Sequence, residues 1–226
     1  MMQTLAVTGG IGSGKSLVCM ILAERGFPVY DSDTMTKALY DEDPVLLEAV
    51  RQKMLPYSGR EAGDMSGFLL DKYGRLDRKA LSRIVFPSGV PDTVALRELE
   101  SVVHPAVLRD FLHWKDSDET AAAARFGTVV IESAIIMDIP MFREAVDMVL
   151  LVDAPLETRI RRAMARDGAD RESVEARIRS QKCSSFDASG DSGLPDVDFI
   201  IENSGTEDEL RYKVEQFIDL NYNNRK

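Results

Sequence analysis

The most specific chemistry in this sequence lies near its start. Gly9, Gly10, Ile11, Gly12, Ser13, Gly14, Lys15 and Ser16 satisfy GxxxxGK[ST]. Glycines let a backbone turn consecutive N–H groups inward onto phosphate oxygens. A helix begun near Lys15 would add its N-terminal donors and roughly half a positive charge. Lys15 is then placed to reach the β and γ phosphates, and Ser16 to ligate Mg²⁺ beside them. The pattern implies binding of a nucleoside triphosphate; what is phosphorylated has to come from other residues.

Three further sets of residues have types suited to that chemistry. Asp31 and Asp33 end the stretch FPVYDSD, and Glu132 ends TVVIE. In an α/β sheet, ligands sit beyond the carboxyl ends of the strands, so these acids are expected to face the same crevice as the glycine loop. Glu132 could position water around Mg²⁺, or simply face solvent, and one of the two aspartates could instead cap the helix that follows. Arg159, Arg162 and Arg166 recur at spacings of three and four, on one face of an expected helix. Three guanidiniums there suit a mobile lid over ATP. The bland alternative is a solvated helix whose arginines pair with Glu157 and Glu175.

These residues need a scaffold, and the apolar pattern supplies one. Residues 4–8, the end of FPVYDSD, TVVIE (128–132), MVLLVD (148–153) and DFIIEN (198–203) read as five strands separated by helical segments. Such continuous apolar runs are buried on both faces of a parallel sheet wrapped by helices. Helical periodicity is expected over 34–54, in KYGRLDRKALSRIVF up to Pro87, between Asp92 and Lys115, in two helices joined by a turn at Asp167 and Gly168, and after Gly205. Within Asp92–Lys115 a break is expected at His104–Pro105, since proline suits a first helical position. LPYSGREAGDMSG reads as a surface loop, CSSFDASGDSGLP (183–195) as a mobile one, and the tail NYNNRK as frayed.

The 226 residues are 44% hydrophobic and 29% charged, as in a soluble globular domain. No apolar run approaches the ~20 residues of a membrane span, and the start has no signal-peptide pattern. A net charge of −10 argues against nucleic acid as a partner, although residues 155–182 carry +3 and the remainder −13. Cys19 and Cys183 form no metal or redox spacing and suit reduced thiols in the cytoplasm.

Taken together and in order, VTGGIGSGKS, GFPVYDSD, GRLDRKALSRIVF, LESVVHP, VDAPLETRIRRAMARDG with its downstream SQ, and DFIIENSG resemble the dephospho-coenzyme A kinase family over roughly residues 3–215. The resemblance implies transfer of the ATP γ-phosphoryl group to the ribose 3′-hydroxyl of dephospho-CoA, the last step of coenzyme A synthesis. The implied fold is that of P-loop NTPases similar to nucleoside monophosphate kinases. It comprises a core of residues 1–33, 126–155 and 196–226, a helical CoA-binding region of 34–125, and a lid of 156–195.

By position, Asp33 matches the family's acid at the accepting hydroxyl, Arg162 and Arg166 its lid arginines, and His104 with Pro105 a motif near the CoA pocket. Lys15, Asp33 and Arg162 are thus the expected catalytic set. The expected ATP-binding set is Gly10 to Leu17 with Arg162, Arg166 and Asn203. Asp33, His104, Pro105 and Glu132 are expected at the substrate, and Ser16, with Glu132 through water, at Mg²⁺.

The chain departs from the family pattern at Ser133–Asp138, at Arg159 where glutamine is common, and after Gln181, where basic residues are often found. The partners expected are ATP and dephospho-CoA, with no nucleic acid, no membrane and a monomeric state. A nucleoside or nucleotide kinase of the same fold, or a nucleotide-dependent switch ATPase, remain the alternatives.

Overall fold

Five parallel strands form one sheet in the order β2-β3-β1-β4-β5, with β1 at Gln3–Thr8, β2 at Val29–Asp31, β3 at Thr128–Glu132, β4 at Met148–Asp153 and β5 at Phe199–Glu202. A computed structural model describes residues 2–61, 63–181 and 197–223. The expected loop 183–195 and the last residues of the tail lie outside them, as does Cys183. The central strands β1, β3 and β4 are almost wholly buried, which explains their unbroken apolar runs. Leu5, Val7, Val130, Leu150 and Val152 pack against Val18, Ile21 and Leu22 of α1 (Lys15–Glu24) and against Leu210, Val214 and Phe217 of α10 (Glu207–Ile218).

The chain divides into two compact units, Met1–Asp31 with Trp114–Lys226, and Ser32–His113. The first holds the sheet, α1, α6 (Asp118–Ala123), α7 (Pro140–Arg143), α8 (Leu156–Asp167), α9 (Arg171–Ser180) and α10. Gly168, left-handed at φ 62°, closes α8 as the Asp167–Gly168 turn predicts, and Asp170 caps α9. α10 begins with a capping box between Thr206 and Glu209. No described helix is long and apolar enough to cross a membrane.

The second unit holds α2 (Ser32–Glu42), α3 (Pro44–Met54), α4 (Arg78–Val85) and most of α5 (Thr93–Lys115). Three features differ from the sequence expectation. The single helix over 34–54 is two, because Asp43 accepts from the N–H groups of Val45 and Leu46 while Pro44 opens a new first turn. The helix expected through KYGRLDRKALSRIVF begins only at Arg78, where Asp77 caps it; residues 71–77 form a turn held on the Asp71 carboxylate. α5 runs unbroken through His104 and Pro105. Pro105 removes one turn hydrogen bond, yet buried Val103, Ala106, Val107 and Phe111 keep the helix packed on both sides of it. Within this unit Arg51 of α3 donates to the carbonyls of Phe68 and Met65, which pins part of the Gly/Ser-rich loop.

Candidate active site

Chain direction places the glycine loop at the carboxyl end of β1, between the ends of β3 and β4. Ligand crevices in open parallel sheets form at such points. Gly12 and Gly14 have φ of 77° and 99°, so a side chain at either position would strain the backbone. The left-handed Gly14 hands the chain directly into α1, whose first residues are Lys15 and Ser16. A helix start offers N–H groups without partners inside the helix, together with the positive end of its dipole.

Each reactive side chain of the loop is held by a neighbour. The Lys15 ammonium donates to the Gly9 carbonyl at 2.9 Å and lies 3.5 Å from that of Gly10. The Ser16 hydroxyl donates to Glu132 Oε1 at 2.7 Å. Register explains the second contact: Val7, just before the loop, lies level with Glu132 on β3, and Asp31 on β2 lies level with Glu132 on its other side. Beneath them, burial holds the Cys19 thiol well above its ordinary pKa, with the Glu132 carboxylate adding to the effect, so the sulfur stays protonated.

The loop backbone is fixed from the opposite side. Asn203, buried at the end of β5, donates through Nδ2 to the Ser13 carbonyl at 2.8 Å. In a planar trans peptide the C=O and the following N–H point oppositely, so this bond also aims the Gly14 N–H. Arg162 reaches the same asparagine, donating to its backbone oxygen at 3.0 Å and to Oδ1 at 3.2 Å. Asn203→Ala should leave the buried Ser13 carbonyl without that donor, costing about 1–3 kcal/mol. A melting temperature lower by about 2–4 °C per kcal/mol, together with weaker ATP binding, is the expected result in a thermal scan and a titration.

The three arginines expected in a lid have different surroundings. Arg159 is buried and bonded to the loop, its Nε donating to the Ile11 carbonyl at 3.0 Å. Arg162 is half-buried on neutral acceptors; burial, and secondarily the charge of Arg161, push its pKa below the usual arginine value. Arg166 is exposed and paired with Asp167. Ion pairs with Glu157 and Glu175 exist, but Arg171 and Arg179 of α9 make them.

In the second unit, Asp33 is exposed in the first turn of α2, where the helix dipole favours a carboxylate. His104 is half-buried in α5, and burial lowers its pKa against an opposing pull from Glu100, which favours the neutral imidazole. Pro105 follows it inside the same helix.

Two residues at the loop escaped the sequence reading as ligands of its backbone. One is Arg159; the other is Gln181, whose Oε1 accepts the Ile11 N–H at 2.8 Å. Their only sequence signal was the family's SQ and the departure from glutamine at 159. In the altered segment after β3, Ile136 keeps a fully buried place, whereas Ile135 is 40% exposed.

A family model described as dephospho-CoA kinase matches residues 3–209. The dephospho-CoA kinase of Porphyromonas gingivalis is 39% identical over 181 residues, which cover 80% of this chain and 78% of the relative. Among solved structures, TT1252 from Thermus thermophilus is similar with 30% identity and a TM-score of 0.70, over 97% of this chain and 98% of the other. The dephospho-CoA kinase of Campylobacter jejuni shares the fold, with 24% identity and a TM-score of 0.59 over 98% of both chains. The chain therefore belongs to the dephospho-CoA kinase family, the phosphotransferases that use an alcohol acceptor in the last step of coenzyme A biosynthesis.

Proposed function

We propose that this chain transfers the γ-phosphoryl group of ATP to the ribose 3′-hydroxyl of dephospho-CoA with the following division of work. Gly10, Ile11, Gly12, Ser13 and Gly14, with Lys15, Ser16 and Leu17 at the helix start, hold the phosphates. Asn203 braces that loop, and Arg162 and Arg166 close on the nucleotide from a lid built on residues 156–195. Residues 34–125 form the acceptor region, with His104 and Pro105 near the CoA, and residues 1–33, 126–155 and 196–226 form the core. The single observation that carries the reading is the convergence of Lys15, Ser16 and Glu132 on one glycine turn at the carboxyl ends of β1 and β3.

Phosphoryl transfer runs through a loose transition state, so the protein's work is alignment and charge stabilisation. Lys15 leaves the loop carbonyls for the β and γ phosphate oxygens. Arg162, already partly desolvated and held on neutral acceptors, gains from an arriving anion more than an arginine that has a carboxylate partner. Asp33 aims the 3′-oxygen and takes its proton late; a carboxylate is far too weak a base to ionise a sugar hydroxyl beforehand.

Ser16 and Glu132 offer hard oxygen donors in hydrogen-bond contact, a donor set that fits Mg²⁺, with Ser16 as ligand and Glu132 on a coordinated water. Bound with ATP, the ion neutralises charge on the phosphates. Glu132→Gln should lower activity at limiting Mg²⁺ by about 10–100-fold and recover part of it as Mg²⁺ is raised. A Mg²⁺ titration of the rate checks this, and an unchanged Mg²⁺ dependence would remove Glu132 from the role. The protein acts as a cytoplasmic monomer in this reading.

ADP release, measured with dephospho-CoA, with its 3′-deoxy analogue and with nucleosides, tests the assignment. One ADP per dephospho-CoA, with only background for the others, is expected. Equal release without an acceptor, or with the 3′-deoxy compound, contradicts it.

A further inference from the structure

The second position of GxxxxGK[ST] accepts any residue, and Gly10 is not among the loop glycines with positive φ, which are Gly9, Gly12 and Gly14. Backbone conformation therefore gives no reason for glycine at position 10. A neighbour does: a Cβ built on Gly10 would overlap the Arg159 guanidinium. A Cβ on Gly12 would likewise overlap the Arg159 carbonyl oxygen, so both glycines lie against the same residue of α8. An exposed arginine could swing aside, but Arg159 is 5% exposed and tethered through Nε to the Ile11 carbonyl at 3.0 Å.

Ile11, between the two glycines, is held at three points. Arg159 takes its C=O, Gln181 takes its N–H, and its side chain packs on Ile160, Ala163, Val174 and Ile178 between α8 and α9. Holding the Ile11 C=O toward α8 turns the next N–H, that of Gly12, away from α8, because the two point oppositely across a planar peptide.

We propose that Arg159 is a positioning residue for the phosphate loop. It holds the Gly10–Gly12 turn in the form that receives the triphosphate, and glycine at position 10 leaves room for its guanidinium. The inference rests on reading residues 9–16 as the ATP site.

A double-mutant cycle on the full chain tests it, with ATP affinity by calorimetric titration and steady-state kinetics for wild type, Gly10→Ala, Arg159→Met and the pair. Gly10→Ala should weaken ATP binding by about tenfold or more, and Arg159→Met by about tenfold. In the Arg159→Met background, Gly10→Ala should cost nothing further. Arg159→Met should raise KM for ATP while kcat stays within about threefold and KM for dephospho-CoA is unchanged. A merely structural arginine would lower the melting temperature and the active fraction and leave KM alone. Penalties that multiply in the double variant, or an unmoved KM for ATP, overturn the proposal. If Gly10→Ala does not fold, recovery of folding in the double variant supports the proposal, and failure to recover overturns it. Lys15→Met serves as the separate control: ATP binding as tight as wild type there would overturn the phosphate-loop reading itself, whatever the cycle shows.

Discussion

Lys15→Met is expected to lower kcat by about a thousandfold or more while the chain stays folded. The ammonium rests on the carbonyls of Gly9 and Gly10, so a cation is already concentrated where phosphate oxygens would arrive. Methionine keeps the length and the apolar stem and loses only the charge and its donors. Removing a single neutral donor from a preorganised anion site typically costs 10²–10³ in rate, and removing a full charge in line with the transferring group costs at least as much. Thermal melting should fall modestly as well, because Gly9 and Gly10 are buried and the Gly9 carbonyl loses the Lys15 donor, at about 1–3 kcal/mol. Steady-state kinetics with a parallel melt distinguish the two effects, and a kcat within tenfold of wild type would remove Lys15 from the chemistry.

Asp33→Asn should follow a different pattern. Turnover falls by about 10²–10⁴, the range of a positioned acid–base group, while ATP binds normally. Asparagine is nearly isosteric, and in the first turn of α2 the substitution gives up about 0.3–1 kcal/mol of dipole interaction. The kinetic loss should appear in kcat, since the proposed role has the carboxylate act on the acceptor hydroxyl during transfer. Near-normal turnover in a folded variant would leave the acceptor oxygen without its assigned partner.

How much of this was legible beforehand depended on how local the cause was. The strands at 128–132 and 148–153 fall where the apolar runs fall, because a strand buried on both faces has little choice of residue. The glycine loop and the Asp167–Gly168 turn were equally legible, since left-handed backbone selects glycine. The break at Asp43–Pro44 was written in the sequence as a cap followed by proline, and was masked by the apolar periodicity continuing through it. Pro105 shows the reverse case: a local helix-breaking signal was outweighed by packing along the rest of α5. The grip of Arg159 and Gln181 on Ile11 was not legible, because helical spacing groups Arg159 with Arg162 and Arg166 and cannot say which of them turns inward.

In the proposed mechanism, backbone amides at the head of α1 grip the phosphates of ATP. Amide NMR spectra of the ¹⁵N-labelled full chain, recorded during titration with ATP and then with adenosine, test it directly. The N–H signals of Gly12, Gly14, Lys15 and Ser16 should move together and saturably with ATP, gain protection from exchange, and stay in place with adenosine. Saturable ATP binding that leaves those four signals unmoved would contradict the claim.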